Sequence, residues 1–192
     1  MDVEILIYEG FDELDAVGPF EVLNPLSPRL VTLEPIETVT ASHGLTLKPE
    51  GLLSGAPGLL VVPGGGWAAR NEERGAYAEY LRGVIPAAIG ERHGRGSVIA
   101  GVCTGVMLLA RAGILDGRPA VTHRVALDDL RAAGAEVRAD ARWVDDGDVL
   151  TAGGVTSGID LALHLLERFA GSDAARAAER RLEHRRIDDA QA

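Results

Sequence analysis

The sequence predicts a single α/β domain whose mostly parallel sheet is covered by helices on both faces. Strand patterns alternate with helical patterns along most of the chain, which is typical of parallel strands joined by crossover helices. The wholly apolar run 59–62 is the kind of strand that such a sheet buries on both faces. With 192 residues, the chain is long enough for one compact domain and too short for two with a linker. We place this domain at residues 1–171 and a charged C-terminal helix or tail at 172–192.

The elements follow from apolar periodicity and from the turn residues between them. Apolar and β-branched runs predict strands at 3–8, on both sides of a turn within 29–40, and at 45–48, 59–62, 97–102, 120–122, 136–138, 142–144 and 149–152. Residues 145–148 form the turn of the last hairpin. Three- and four-residue spacing predicts helices at 71–92, after Cys103 up to Gly113, at 125–133 and at 159–169. Pro19 is expected to open a helix at its first turn, and Ser172 or Asp173 to cap the terminal helix.

Composition and charge exclude several classes of function. Hydrophobic residues make up 46% of the chain and charged residues 25%, which are ordinary values for a globular protein. The net charge of −10 argues against a nucleic-acid partner, because such binding needs clustered basic residues to neutralise phosphates. The apolar runs are too short to cross a bilayer, and the acidic N-terminus is unlike a signal peptide, so we expect no membrane partner. The single cysteine suits a reducing compartment, and we expect a cytoplasmic location.

The only cysteine stands where a strand pattern changes to a helical pattern. Residues Gly101-Val102-Cys103-Thr104-Gly105 have the form G-x-C-x-G, the thiol counterpart of a nucleophile elbow. A lone cysteine is usually a small buried hydrophobe, but such a cysteine needs neither flanking glycine. The helix N-terminus is expected to favour the thiolate over the thiol. We therefore interpret Cys103 as a functional nucleophile.

Other chemically useful residues follow strands that should end at the same edge of the sheet. Gly64, Gly65 and Gly66 follow the strand at 59–62, and successive glycines let backbone amides approach a ligand closely. Neither phosphate-binding glycine motif is present, so a nucleotide site is not expected. His123 ends another strand, although a lone histidine is more often a surface residue. Asp15 can join the site from the loop after the first strand, or it can simply cap a helix.

No metal or cofactor is expected from the sequence. The five histidines show no ligand spacing with acidic or thiol partners. The expected partner is a small-molecule substrate.

The order of these motifs resembles the DJ-1/PfpI superfamily of class I glutamine-amidotransferase-like proteins, over nearly the whole chain. The motifs that carry the resemblance are Leu14-Asp15-x-x-Gly18-Pro19, Val62-Pro63-Gly64-Gly65, Gly101-Val102-Cys103-Thr104-Gly105, Ala120-Val121-Thr122-His123 and Gly154-Val155-Thr156-Ser157-Gly158. The Asp15-x-x-Gly-Pro motif, and threonine rather than histidine after the cysteine, are most similar to the isonitrile hydratase-like members and to the sensor halves of AraC-type regulators. The resemblance implies a single-domain, flavodoxin-like three-layer sandwich and a homodimer.

The resemblance also implies roles for individual residues. Cys103 would be the nucleophile, Asp15 the carboxylate beside its sulfur, and Thr104 a residue that positions reacting groups. The amides of Gly65 and Thr104 would form an oxyanion-type pocket. Substrate binding would also involve Gly66, His123 and Gly18.

The resemblance implies that the protein is a lyase that hydrates isocyanides to N-substituted formamides. Two alternatives use the same cysteine and carboxylate. One is a glyoxalase or deglycase acting on 2-oxoaldehydes, in which His123 would transfer a proton. The other is a non-enzymatic redox or small-molecule sensor, in which Cys103 is oxidised to a sulfinate. Thr104 weakens a peptidase interpretation, because protease-like members have histidine at that position.

Overall fold

A seven-stranded sheet lies at the centre of the computed structural model, which describes residues 1–186. In chain order the strands are β1 (Val3–Leu6), β2 (Arg29–Thr32), β3 (Val39–Thr40), β4 (Thr46–Leu47), β5 (Gly51–Leu52), β6 (Leu59–Val62), β7 (Val98–Val102), β8 (Pro119–Ala120), β9 (Glu136–Val137), β10 (Trp143–Asp146) and β11 (Val149–Ala152). The described residues contain further strands besides the seven of the central sheet, because β3 pairs with β4 and β8 pairs with β9 outside it. The order in the sheet is β10-β11-β7-β6-β1-β2-β5, and every pair except β10 with β11 is parallel. The predicted mostly parallel sheet is therefore confirmed.

Helices cover the sheet on both faces, as the alternating pattern predicts. They are α1 (Glu13–Val22), α2 (Ala76–Arg82), α3 (Val84–Gly94), α4 (Val106–Arg111), α5 (Leu127–Ala132), α6 (Ser157–Ala170) and α7 (Ser172–Leu182). The chain moves from β1 to β2 in one direction along the sheet and from β6 to β7 in the other. Since parallel crossovers are right-handed, their helices lie on opposite faces. Accordingly α1 packs on α6 and α6 on α7, whereas α2, α3, α4 and α5 pack among themselves.

The carboxyl ends of β1, β6 and β7 form the edge where the candidate site lies. These strands are buried almost throughout, which explains their continuous apolar runs. The direction of the crossovers reverses between β1 and β6, and open α/β sheets bind ligands at such a reversal. β8 stands apart, because it pairs with β9 in a separate two-stranded ribbon rather than joining this sheet.

Two helix predictions need correction. The predicted helix at 71–92 is two helices, since Gly83 has a φ of +74° and separates α2 from α3. The first helix does not open at Pro19: it begins at Glu13, and the Asp12 side chain accepts the Leu14 N–H as its cap. Pro19 therefore lies inside α1, where it supplies no N–H to the preceding turn. Asp15 consequently lies in the first turn of α1 rather than ahead of the helix.

The C-terminal helix packs on the domain rather than extending from it. α7 begins at Ser172, but its cap position is Gly171 and not Ser172 or Asp173 as predicted. Ala175 and Ala178 are buried, and Arg181 forms an ion pair with Glu21 of α1. The rest of the predicted tail, residues 187–192, lies outside the described residues, and the division at residue 171 stays a prediction. Among the described residues, no helix is both long and apolar enough to span a bilayer.

We predict that Gly158→Ala destabilises the fold by about 1–3 kcal/mol, because overpacking displaces core side chains. A Cβ at Gly158 would lie 2.8 Å from Cγ1 of Val102, which is itself fully buried in β7. Urea denaturation followed by circular dichroism measures the change. Gly94→Ala is the matched control, since no atom lies within 4 Å of a Cβ there. Equal stability of the two variants would contradict the predicted packing constraint.

Candidate active site

Cys103 lies on a strained turn between β7 and α4. Its φ of +55° falls in the left-handed region, which non-glycine residues rarely adopt. Residues Cys103–Gly105 form a 3-10 turn that leads directly into α4. Gly105 is required there, because a Cβ would collide with the carbonyl oxygens of Val62 and Pro63. The structure therefore has the strand, sharp turn and helix of a nucleophile elbow, as predicted.

The three glycines that follow β6, Gly64 to Gly66, form a loop that we call the glycine loop. This loop packs directly on the turn formed by Cys103–Gly105. A Cβ at Gly64 would lie 2.5 Å from the amide nitrogen of Thr104. The Gly65 N–H donates to Thr104 Oγ1 at 2.9 Å, and the Gly64 N–H donates to Asp15 Oδ2 at 2.9 Å. The loop thus connects α1, which carries Asp15, to the nucleophile turn.

The Asp15 carboxyl is completely buried beside the thiol. Burial is the largest cause that raises its pKa to about 8, and the charge of Asp12 adds to the shift. The Gly64 N–H and the Cys103 thiol act in the opposite direction. Oδ1 has no hydrogen-bond partner of full geometry among the described residues, although the thiol of Cys103 lies close enough to influence the carboxyl. Asp15 consequently keeps a proton at neutral pH.

Cys103 is a buried thiol rather than the thiolate expected from a helix N-terminus. Burial raises the pKa of Cys103 well above its ordinary value, and the Asp15 carboxylate raises it further. A hydrogen bond from the Thr104 amide to the sulfur acts in the opposite direction but is outweighed. This direction runs against the expected thiolate, because only 6% of the residue is exposed and desolvation is the largest cause of the shift.

Two further side chains fix the backbone of the site. The Thr122 hydroxyl donates to the carbonyl oxygen of Cys103 at 2.8 Å. The Tyr8 hydroxyl donates to the carbonyl oxygen of Pro63 at 2.6 Å, immediately before the glycine loop. Sequence reasoning noted Thr122 only as a neighbour of His123 and missed Tyr8, whose partner is 55 residues away. The available signal was that Tyr8 is the last residue of the predicted first strand, two residues beyond the end of β1.

The three glycines predicted at the site differ in what their backbones contact. The Gly65 N–H already donates to Thr104 Oγ1, whereas the N–H of the exposed Gly66 has no acceptor among the described residues. Gly18 lies in α1, where a Cβ would approach Ile159 of α6 to 3.3 Å, so the structure gives it a packing position.

His123 is partly exposed, and its Nδ1 accepts the Val125 N–H at 3.3 Å. Burial and the charge of Arg124 lower its pKa, so the imidazole is neutral near pH 7. Because Nδ1 is the acceptor, the proton of the neutral ring resides on Nε2.

One group of potential metal ligands exists within residues 1–186. Asp12, Glu13 and His43 bring their ligand atoms within 4.8 Å of one another, a grouping that sequence spacing did not reveal. Glu13 accepts the backbone N–H of His43 at 2.7 Å, and its other oxygen lies 2.6 Å from His43 Nδ1. Although burial opposes the shift, these hydrogen bonds lower the pKa of Glu13 to about 2. The contacts between Glu13 and His43 therefore connect α1 to the loop between β3 and β4.

Comparisons with known proteins agree with this architecture. The sequence matches the family model of the DJ-1/PfpI family over residues 1–168. The chain belongs to the DJ-1/PfpI family. This confirms the resemblance inferred from the motifs.

Individual relatives cover most of the chain. An isonitrile hydratase from Pseudomonas putida is 33% identical over 188 residues, which span 96% of this chain and 78% of the relative. The Parkinson disease protein 7 homolog of Danio rerio is 27% identical, over 89% of this chain and 90% of its own. The crystal structure of a ThiJ/PfpI family protein from Pseudomonas syringae superposes with a TM-score of 0.84 at 27% identity, covering 95% of this chain and 74% of that one.

We predict that Asp15 makes the free energy of unfolding fall as the pH rises from about 4 to about 8. In this range the folded protein keeps a proton on Asp15, whose pKa is raised from 3.8 to about 8, while the unfolded chain releases it. The contribution is complete below pH 4 and is lost as the pH approaches 8. Its size is on the order of a few kcal/mol.

The measurement is urea denaturation of the wild type and of Asp15→Asn between pH 4.5 and pH 8.5. Asparagine cannot ionise, so the stability of the variant relative to the wild type should increase steadily with pH. Parallel pH curves for the two proteins would show that the carboxyl does not hold its proton in the folded state.

Proposed function

We propose that this protein is a cysteine-dependent hydratase that converts isocyanides into N-substituted formamides. The observation that carries the proposal is the pairing of Cys103 with the buried carboxyl of Asp15, whose pKa is raised by burial. This chemistry needs a sulfur nucleophile and one acid/base group that can give and take back a proton. The similarity to the isonitrile hydratase of Pseudomonas putida supports the same activity.

The first half of the reaction forms a thioimidate. The Gly64 N–H occupies Oδ2 of Asp15, so the proton belongs on Oδ1, the oxygen without a full hydrogen bond. Oδ1 gives this proton to the terminal carbon of R–N≡C while Sγ of Cys103 bonds to the same carbon. The thiol proton then passes to Oδ1. The product is R–N=CH–S–Cys103, and Asp15 is protonated again.

The second half releases the formamide. Asp15 protonates the thioimidate nitrogen while water adds to the carbon and returns a proton to Oδ1. The resulting R–NH–CH(OH)–S adduct collapses as the carbon–sulfur bond breaks, and the hydroxyl proton returns to Sγ through Asp15. The sum is R–N≡C plus water to R–NH–CHO. The amide of Gly66, exposed at the glycine loop, is a donor for the developing formyl oxygen.

A site with two neutral groups suits an uncharged substrate. Burial favours the protonated forms of both Asp15 and Cys103, and an isocyanide brings no charge that must be desolvated. A peptidase would need an imidazole beside the thiol, whereas the next residue here is Thr104, which bonds the glycine loop.

Two features weigh against the alternatives. A 2-oxoaldehyde enzyme would use His123 as a base, yet its Nδ1 accepts a backbone N–H and its Nε2 carries the proton. A redox sensor requires an accessible thiolate, whereas Cys103 is buried and burial raises its pKa. Both interpretations remain second to the hydratase.

We further propose a homodimer and a cytoplasmic location. Leu14 and Val17 are exposed apolar residues on α1, which supports a contact between copies on this face.

We predict that wild-type protein produces N-substituted formamides from one aromatic and one aliphatic isocyanide, and that two variants lose most or all of this activity. Cys103→Ala removes the nucleophile and abolishes turnover. Asp15→Asn removes the proton donor and lowers kcat/KM by about 10²- to 10⁴-fold. Formamide production is followed by liquid chromatography.

The exposed Asp140→Asn variant is the control and should match wild type. Absence of turnover in the wild type, or normal turnover in Asp15→Asn, would refute the proposal.

We predict that His123→Ala retains isocyanide hydration within about threefold of wild type, since a histidine outside the proton relay contributes little to the barrier. The same variant is assayed with methylglyoxal. The glyoxalase alternative expects wild-type turnover of methylglyoxal that falls by about 10²-fold or more in the variant. That second pattern, combined with no isocyanide turnover, would favour the glyoxalase over the hydratase.

A further inference from the structure

A polar bridge joins two segments that each make a hydrogen bond to the turn carrying Cys103. Trp67 follows the glycine loop, and Asp129 lies in the first turn of α5, beyond His123. The indole Nε1–H of Trp67 donates to Asp129 Oδ2 at 2.7 Å. Arg70 donates to the same oxygen, also at 2.7 Å. We call Trp67, Arg70 and Asp129 the rim bridge.

The indole is a fixed anchor of this bridge. Trp67 is 3% exposed and packs edge-on against Tyr77 and Tyr80 of α2, with ring centroids 5.4 Å and 5.3 Å apart. The Arg70 guanidinium lies 5.2 Å from the centroid of the Trp67 ring and 5.0 Å from that of Tyr77. Arg70 also has a φ of +50°, a conformation that its contacts must maintain. The Asp129 carboxylate therefore ties α5 to a fixed indole.

Both ends of the bridge belong to segments that touch the nucleophile turn. On one side, the Gly65 N–H donates to Thr104 Oγ1, two residues before Trp67. On the other side, the Thr122 hydroxyl donates to the carbonyl of Cys103, shortly before α5. The bridge thus holds these two segments at one separation around a thiol that is nearly buried. Breaking it leaves the hydrogen bonds at Thr104 and Thr122 in place but releases the outer parts of both segments.

We propose that Asp129 is a specificity-determining residue, because the rim bridge limits the width of the opening to Cys103 and so the bulk of the R group that can reach the sulfur. The identity of R–N≡C as the substrate rests on the proposed function. The restriction of access concerns the thiol itself and can be measured without turnover.

The single cysteine makes the first test direct, since every thiol reagent reports on Cys103 alone. Native protein is labelled at one fixed pH with iodoacetamide, which is small, and with N-(1-pyrenyl)maleimide, which is bulky. Asp129→Ala removes both contacts of the bridge, and Asp129→Asn keeps an acceptor for the indole but removes the charge that pairs with Arg70. Asp128→Ala is the matched control, because the neighbouring carboxylate is 99% exposed and pairs with Arg131 instead.

In Asp129→Ala we expect the rate of labelling by the pyrenyl reagent to rise about tenfold, which corresponds to the loss of one charge-assisted hydrogen bond. The rate of labelling by iodoacetamide should change less than about twofold. Asp129→Asn should lie between the wild type and Asp129→Ala, and Asp128→Ala should match the wild type. Unchanged pyrenyl labelling in Asp129→Ala would overturn the proposal. An equal increase for both reagents would also overturn it, because it would indicate a general loosening of the fold.

Turnover supplies the second test. For Asp129→Ala, the ratio of kcat/KM for a bulky aryl isocyanide to that for a small alkyl isocyanide should rise about tenfold over wild type. An unchanged ratio in an active enzyme would overturn the proposal. If wild type hydrates no isocyanide, the proposed function fails, and the labelling rates alone decide whether the rim bridge controls access to Cys103.

Discussion

The site depends on the close packing of the glycine loop against the turn that carries Cys103. Side chains are sterically excluded on both sides of this contact, at Gly64 and at Gly105, where a Cβ would collide with backbone atoms. The absence of side chains brings backbone amides within hydrogen-bond distance of Asp15 and Thr104. This backbone contact therefore helps to fix where Cys103, Asp15 and the Thr104 hydroxyl lie.

The same packing decides the electrostatics. A site closed by backbone admits little water, so ionisation of any group inside it is costly. Asp15 keeps its proton for this reason, and burial likewise raises the pKa of Tyr8, whose hydroxyl bonds the start of the glycine loop. Burial raises the pKa of both the Cys103 thiol and the Asp15 carboxyl, which suits the uncharged substrate that we propose. The restriction by size that we assign to the rim bridge would add to this effect.

The packing of α1 against α6 also positions the Asp15 carboxyl. Asp15 belongs to α1, and α1 packs on α6 through Gly18, where the backbone approaches Ile159 closely. Asp12 caps the first turn of α1, so the helix starts early enough to carry Asp15 inward. Gly18, which was predicted as a substrate-binding residue, therefore helps to position the Asp15 carboxyl through the packing of α1 on α6.

The sequence by itself determined the α/β class, the nucleophile elbow at Cys103 and the glycine loop, because periodicity and turn chemistry are encoded by residues that are neighbours in the chain. Only the tertiary structure decided that Gly83 divides a helical pattern, that Cys103 is a thiol, and that Trp67 meets Asp129. Trp67 and Asp129 lie 62 residues apart. These features arise from burial and from contacts between distant segments, and local sequence patterns carry no record of either.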